Sequence, residues 1–331
     1  MKRSILRAAM IALLLAGGMT SGAAAAPSRV ETDAPATITL PFAPPLGVPI
    51  RYDFEMRTEN GGQTQLVRSV DELTYSKADN GGFRLSWVTK SVRVEAPGPM
   101  QAILSKVYAV GVGVPLVIAV TPQGYAEALL NEADVRTVTE TMLAKLVTSM
   151  DSEFADLPAD ARAIMAKIMG AVVEQQRTQS QEAFINAALE SPRMMLRNIG
   201  PMLPGQPTTE EVEAAAPIGD GRIHYLTQSE LRRYVPGSSA EVVLSSTANQ
   251  ADLKRLTDSI VGSMLAAITD PKMRAATESE IAKAGSMTFS DEAVMTIALP
   301  SGVTDSIRYR KQVAIPGRPM RIDTRSYTRV Q

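Results

Sequence analysis

The side chains able to do chemistry in this sequence are few and scattered. Cysteine is absent and His224 is the one histidine. That excludes disulfides, thiolate nucleophiles, thiolate metal sites, a lipidated N-terminal cysteine and any two-histidine metal motif. A serine nucleophile needs a base beside its hydroxyl. No Gly-x-Ser-x-Gly elbow and no Ser-x-x-Lys pair accompanies His224. His224 sits in an alternating run, with Ile223 and Tyr225 on one side and His224 and Leu226 on the other, which reads as a structural strand histidine. Phosphate-binding loops and dinucleotide glycine fingerprints are missing. Asp53 and Glu55 lie two apart on one strand face, as the carboxylates of a retaining glycosidase would if suitably separated. Their face is the polar one, so they read as solvated. The sequence therefore assigns no catalytic residue, no metal ligand and no cofactor. It leans away from an enzyme, with one of unrecognised type, built on carboxylates and tyrosines, kept as an alternative.

Two unusual distributions supply the binding candidates. Eight of the 17 methionines lie between Met100 and Met202. Methionine fills ordinary cores, but its flexible thioether also suits a surface that accepts varied apolar shapes. On that second reading Trp87, Met142, Met165 and Met169 bound an apolar cavity between strands and helices. The second distribution is the C-terminal tail, where Arg308, Arg310, Lys311, Arg318, Arg321, Arg325 and Arg329 face only Asp305 and Asp323. Period two sets Arg308 with Arg310 opposite Ile307 and Tyr309, and Arg321, Arg325 and Arg329 opposite Met320 and Ile322. Such a hairpin offers Arg308, Arg310, Arg321, Arg325 and Arg329 as an anion-binding face for anionic lipid or acidic envelope polymer. The alternative is a solvated face protecting an edge strand. Residues 131–160 are acidic and could pair with the tail.

Stepping outward, 34 basic and 35 acidic residues leave a formal charge of −1, which argues against a nucleic-acid partner. Hydrophobic residues at 45% suit a globular chain. Lys2, Arg3 and Arg7 precede a short apolar run from Ala8 to Ala16 and then small residues ending in Ala-x-Ala. This is the layout of a secretory signal peptide over 1–25, too short to span a bilayer. The expectation is export to the periplasm, or secretion, of a soluble mature chain with no transmembrane span, its fold held by its core without cysteines.

The elements that must position these residues follow from periodicity. Residues 26–48, rich in proline, read as an extended N-terminal lead. From Ile50, alternation and the turns Asn60-Gly61-Gly62 and Asn80-Gly81-Gly82 give a three-strand antiparallel meander with one wet face. The run Val107 to Val120 reads as buried strand, and 116–120 with 125–129 as a hairpin. Helical spacing begins at Asn131, reopens at Pro158, and covers 179–199 with a break at Pro192. Thr208-Thr209-Glu210-Glu211 fits a capping box for a short helix. Strands return at 222–235 and 240–246. Helices follow from 249 to 285, one of them opened by Asp270-Pro271, and strands end the chain at 287–299, 303–315 and 320–330.

Strands at both ends and in the middle, with helices between, define an α+β protein. The expected fold is a curved antiparallel sheet, in the limit a half-barrel, with two helical blocks (about 131–199 and 249–285) packed on it. It forms a single domain over 49–331, with a split near 205 as the alternative. This order of elements resembles that of periplasmic lipoprotein carriers of the half-barrel type, over roughly half the chain and without a motif, so no residue roles are carried over. The functional expectation is a non-enzymatic binder or carrier of an apolar, lipid-like or amphiphilic ligand. The alternative is an envelope interaction or scaffolding module using the arginine face. Oligomeric state is left open.

Overall fold

In the computed structural model, residues 37–155, 162–163, 166, 170, 173–174, 177–196, 200–215, 222–266, 271, 274–275, 279, 288–314 and 319–330 are described. The strands are β1 (Ile50–Asn60), β2 (Gln63–Lys77), β3 (Phe83–Glu95), β4 (Pro115–Val120), β5 (Ala126–Leu129), β6 (Thr208–Ala215), β7 (Arg222–Val235), β8 (Ser239–Ala248), β9 (Thr288–Ala298), β10 (Thr304–Ala314) and β11 (Arg321–Val330). All belong to one antiparallel sheet in the order β5-β4-β3-β2-β1-β11-β10-β9-β8-β7-β6. Two meanders thus run outward from a central seam where β1 pairs with β11, Tyr52 opposite Arg329 and Thr58 opposite Asp323. The edges β5 and β6 lie at opposite ends of the order, so the sheet is not closed.

Local sequence explains the first meander. The β1–β2 turn needs positive φ at both central residues, and Gly61 (φ 58°) and Gly62 (φ 79°) supply it. Register then carries one face across the sheet. Tyr52, Phe54, Met56 and Thr58 share their side with Asp71, Ser69, Val67 and Gln65 of β2, and with Trp87, Leu85 and Phe83 of β3. That inner face holds the main core, including Tyr52, Leu73, Tyr75, Leu85, Trp87, Ile307 and Tyr327. Arg51, Asp53, Glu55 and Arg57 take the outer face, where Arg68 reaches Glu55 at 3.0 Å and Glu95 at 2.9 Å. Asp53 and Glu55 are accordingly solvent-side, as their alternation implies.

Five helices are described: α1 (Met100–Tyr108), α2 (Glu132–Glu153), α3 (Gln181–Ala188), α4 (Glu190–Met195) and α5 (Gln250–Ala266). Helix α1 packs Leu104 on Val67 and Val94 of the inner face, and packs Ile103 and Val107 on Leu146 and Met150 of α2. Ser180 caps α3 by accepting from the Ala183 amide at 3.2 Å. The chain breaks at Leu189 (φ −90°, ψ 2°), and Pro192 then falls in the first turn of α4, where a missing N–H costs little. Phe184, Leu189, Met195 and Leu196 join the sheet's core cluster, with α3 beside the edge strand β5 and α4 against β10 and β11.

Three expectations are corrected. Residues 107–114 are not strand: α1 runs to Tyr108, a 3-10 turn covers Ala109–Gly111, and pairing starts only at Pro115. The apolar run there is one helix face followed by a strand, which unbroken hydrophobicity cannot distinguish. Thr208–Glu211 open the edge strand β6 rather than a helix, because the β-branched Thr208, Thr209 and Val212 pair with Ser229, Gln228 and Tyr225 of β7. The described part of the lead is also docked. Ile38 pairs with Met202, and the Ala43 amide donates to the Ser301 carbonyl at 2.8 Å. Gly302 (φ 69°) lies so close that a Cβ there would sit 1.8 Å from the Pro41 oxygen. The signal segment 1–25, the residues after Pro158 up to 161, and the helix expected from Asp270 to Gly285 fall wholly or largely outside the described residues.

Candidate functional site

An open groove of about 780 Å³ lies beside α2. One wall is the flank of α2 next to the α1 contact: Leu143, Ala144, Val147, Met150 and Phe154. The other comes from the described helical residues between 162 and 177, with Ala163, Ala166, Gly170 and Val173 lining it. Small residues on one wall and branched or aromatic ones on the other leave an apolar floor. Asp151, Arg162, Glu174 and Arg177 bring charge to it. Small-molecule clefts occupy roughly 300–1,000 Å³ with mostly apolar linings, and this groove falls within that range.

Residues nominated from sequence do not all meet there. Trp87 is 6% exposed and packs edge-on against Tyr327, with ring centroids 5.6 Å apart, inside the sheet core. Met142 packs in a different cluster, with Met100, Ile103, Val107, Leu146, Met150 and Phe154 between α1 and α2. Trp87 and Met142 therefore do not bound one cavity among the described residues. Met165 and Met169 lie outside the described residues.

The arginines are split between faces. Arg308 and Arg310 are exposed on the outer face, opposite Ser326 and Thr324. Arg325, Arg321 and Arg329 share the inner face with Tyr309, Val313 and Tyr52 respectively. Each is met by a carboxylate: Arg325 by Glu190 at 3.0 Å, Arg321 by Asp323 at 3.0 Å, and Arg329 by Asp305 at 3.3 Å. The single arginine-rich hairpin face expected from the sequence is thus not formed. Strand alternation was read correctly within each strand. The cross-strand register, which sets Tyr309 and not Arg308 or Arg310 beside Arg325, is invisible without the turn geometry.

Register also builds a feature the sequence reading missed. Ser246, Asp291, Lys311, Asp323 and Thr58 stand side by side across five strands, from β8 to β1. This polar belt crosses the inner face. It separates the main core from a smaller cluster of Ile223, Tyr225, Leu253 and Phe289 under α5. Lys311 and Asp323 are 6% and 7% exposed. Burial pushes the Lys311 ammonium down to about 8, against the pull of Glu190 and Asp323. Thr58 Oγ1 donates to Asp323 Oδ1 at 2.7 Å, and Tyr309 Oη donates to Asp291 Oδ2 at 3.3 Å. Burial likewise raises Tyr309, Tyr327, Tyr52 and Tyr75. Near the first meander, desolvation raises the buried Asp71 although Thr89 donates to it at 2.9 Å and Ser69 at 3.1 Å. Lys311 within the strand Ile307 to Val313 was the available signal: a charge at an inward position of period two.

His224 has a local partner. Its amide donates to Asp252 Oδ2 at 2.8 Å and its Nδ1 lies 2.7 Å from the same oxygen. Arg255, one helical turn on, also donates to Asp252. The backbone amide of His224, then its ring, then Arg255 hold the Asp252 carboxyl well below its usual range, and the Asp252 hydrogen bond raises the histidine. Asn249 accepts from the Ala251 and Asp252 amides, so this triplet fixes the start of α5 against β7.

No family model matches the chain, and no curated protein matches it. Among solved structures, one of lipid–protein interactions in lipovitellin is similar over 87% of this chain at 8% identity with a TM-score of 0.39. The chain spans 25% of that lipovitellin chain. A structure of MucB in complex with the periplasmic part of MucA is similar over 85% of this chain and 89% of that one, at 10% identity and a TM-score of 0.13. At such values neither likeness assigns a family or an activity.

Proposed function

We propose that this chain is an exported, non-enzymatic binder of an apolar or amphiphilic ligand, which lies in the groove beside α2. The groove carries the reading: about 780 Å³, apolar along both walls, with charge from Arg162, Arg177, Asp151 and Glu174. Among the described residues lining it there is no nucleophile–base pair, which suits retention and release rather than turnover. In this reading residues 1–25 are a signal peptide that delivers the protein to the periplasm, or out of the cell. The remainder is one α+β domain whose sheet curves as a half-barrel beneath its helices.

The test is organic extraction and mass spectrometry of the purified protein, with binding of a fluorescent fatty-acid probe. Ala144→Trp and Ala166→Trp both fill the groove from exposed positions, so each should weaken the probe by at least about tenfold, about 1.4 kcal/mol. A protein that yields no extracted amphiphile and binds the probe equally well in both variants would sink the reading. A reporter carrying residues 1–25 should be exported; retention in the cytoplasm would overturn the localisation.

A further inference from the structure

Beside the belt, two residues on from Asp323 in β11, stands an arginine that is incompletely used. Arg325 gives Nη1 to Glu190 Oε1 at 3.0 Å, a contact through one oxygen. Its Nε is fully buried and has no hydrogen-bond partner. A guanidinium is a planar fork suited to two-point binding of a carboxylate or phosphate, so this geometry leaves half the fork unsatisfied. The surroundings are cationic as soon as Glu190 is set aside. Lys311, Arg321 and Arg325 then stand against Asp291 and Asp323 on the same face, an excess of one positive charge. Lys311 holds its ammonium 5.3 Å over the Phe289 ring.

Glu190 comes from a helix and not from the sheet. It opens α4, a six-residue helix that follows the break at Leu189. Beyond the Glu190 pair, α4 is tied to the sheet by Thr304 Oγ1, which donates to the Met195 carbonyl at 2.9 Å, by a side-chain hydrogen bond between Ser191 and Tyr327, by Arg193 Nε, which donates to the Ala126 carbonyl at 3.4 Å, and by apolar packing. The Arg325 and Glu190 side chains are each 15% exposed, so the pair lies just beneath the surface.

We propose that Arg325, with Lys311 beside it, is a binding site for one carboxylate or phosphate group, and that Glu190 occupies the site until such a group displaces it. The incoming anion reaches Nε and a terminal nitrogen together, restores charge balance in the belt, and frees α4 from its ionic tether. This site is separate from the groove beside α2 and does not depend on it.

The chain's lack of cysteine makes the test direct. In a Met194→Cys background the reporter thiol sits on α4, half-buried against the core. Acetate, inorganic phosphate and dodecanoate are titrated by calorimetry while thiol labelling is timed, with dodecyl maltoside as the uncharged control. Glu190→Gln should tighten binding of at least one anionic probe by about fivefold or more. The same probe should speed labelling in the Glu190-containing protein, and Arg325→Lys should abolish both effects while circular dichroism stays native. Binding of dodecanoate alone assigns the anion to an amphiphile head; equal binding of acetate or phosphate assigns it to a free ion. The proposal is overturned if Glu190→Gln, folded, binds all three anions no better than its parent. It is equally overturned if tighter binding survives Arg325→Lys. Neither result touches the groove, where Ala144→Trp and Ala166→Trp report.

Discussion

Lys311 gives the sharpest prediction, because its effect on stability can be worked through in sign and size. The ammonium is pushed down to about 8 in the folded chain against about 10.4 in an unfolded one. Below pH 8 both states carry the charge and folding bears the full cost of burying it, about 3 kcal/mol at roughly 1.4 kcal/mol per pH unit. Between those two values the unfolded chain binds more protons than the folded one, so stability rises with pH. From pH 8 to pH 9.5 the gain is about 2 kcal/mol. At a urea slope of about 3 kcal/mol/M this is a midpoint increase of roughly 0.7 M. The window closes near pH 10, where the raised tyrosines, Tyr52, Tyr309 and Tyr327 among them, act in the opposite direction. Urea melts monitored by the single tryptophan, Trp87, should show the rise in the parent protein and lose it in Lys311→Met. A parent curve flat from pH 8 to 9.5, or an equal rise in Lys311→Met, would refute the burial argument.

Four further outcomes follow from the structure. Emission of Trp87, enclosed against Tyr327, should not shift when a probe fills the groove; a marked shift would move the binding site to the sheet core. Asp252→Asn should lower the titration midpoint of His224 in proton NMR, where one histidine gives one set of signals; no change would remove the Asp252 hydrogen bond as its cause. Gly302→Ala should lower stability by about 2 kcal/mol and expose the 37–48 segment to proteolysis, since its Cβ collides with the Pro41 oxygen. Leu231→Ala, at a fully buried position on β7, should cost about 2–5 kcal/mol in chemical denaturation; a loss under 1 kcal/mol would show a loosely packed second meander.

How much of this was legible depended on the range of the information. Asn60-Gly61-Gly62 and the alternation around Tyr52 located β1 and β2 to within a residue or two, because turn and strand chemistry are local. Helix α2 followed from Val135, Val138, Met142 and Leu146 for the same reason. Thr208–Glu211 failed because the same tetrapeptide satisfies a helix cap and an edge strand, and β7 decides between them. The site was less legible still. Arg325 and Glu190 are brought together by two helices and a seam between distant strands, and no spacing in the sequence encodes that. The lack of cysteine is read from the sequence directly and excludes thiol chemistry.

Pairing β1 with β11 places the start of the first strand beside the end of the last, in the middle of the sheet. Joining those ends and opening the chain between α4 and β6 would turn the strand order into an uninterrupted succession, each strand beside its successor. In the chain as it stands, each half of the sheet pairs strand with successive strand, and the β1–β11 seam alone pairs one half with the other. That zipper spans almost the whole polymer, so its loop-closure entropy is near the largest this chain can incur. Loss of the last ten residues would leave two sticky borders facing each other across a gap.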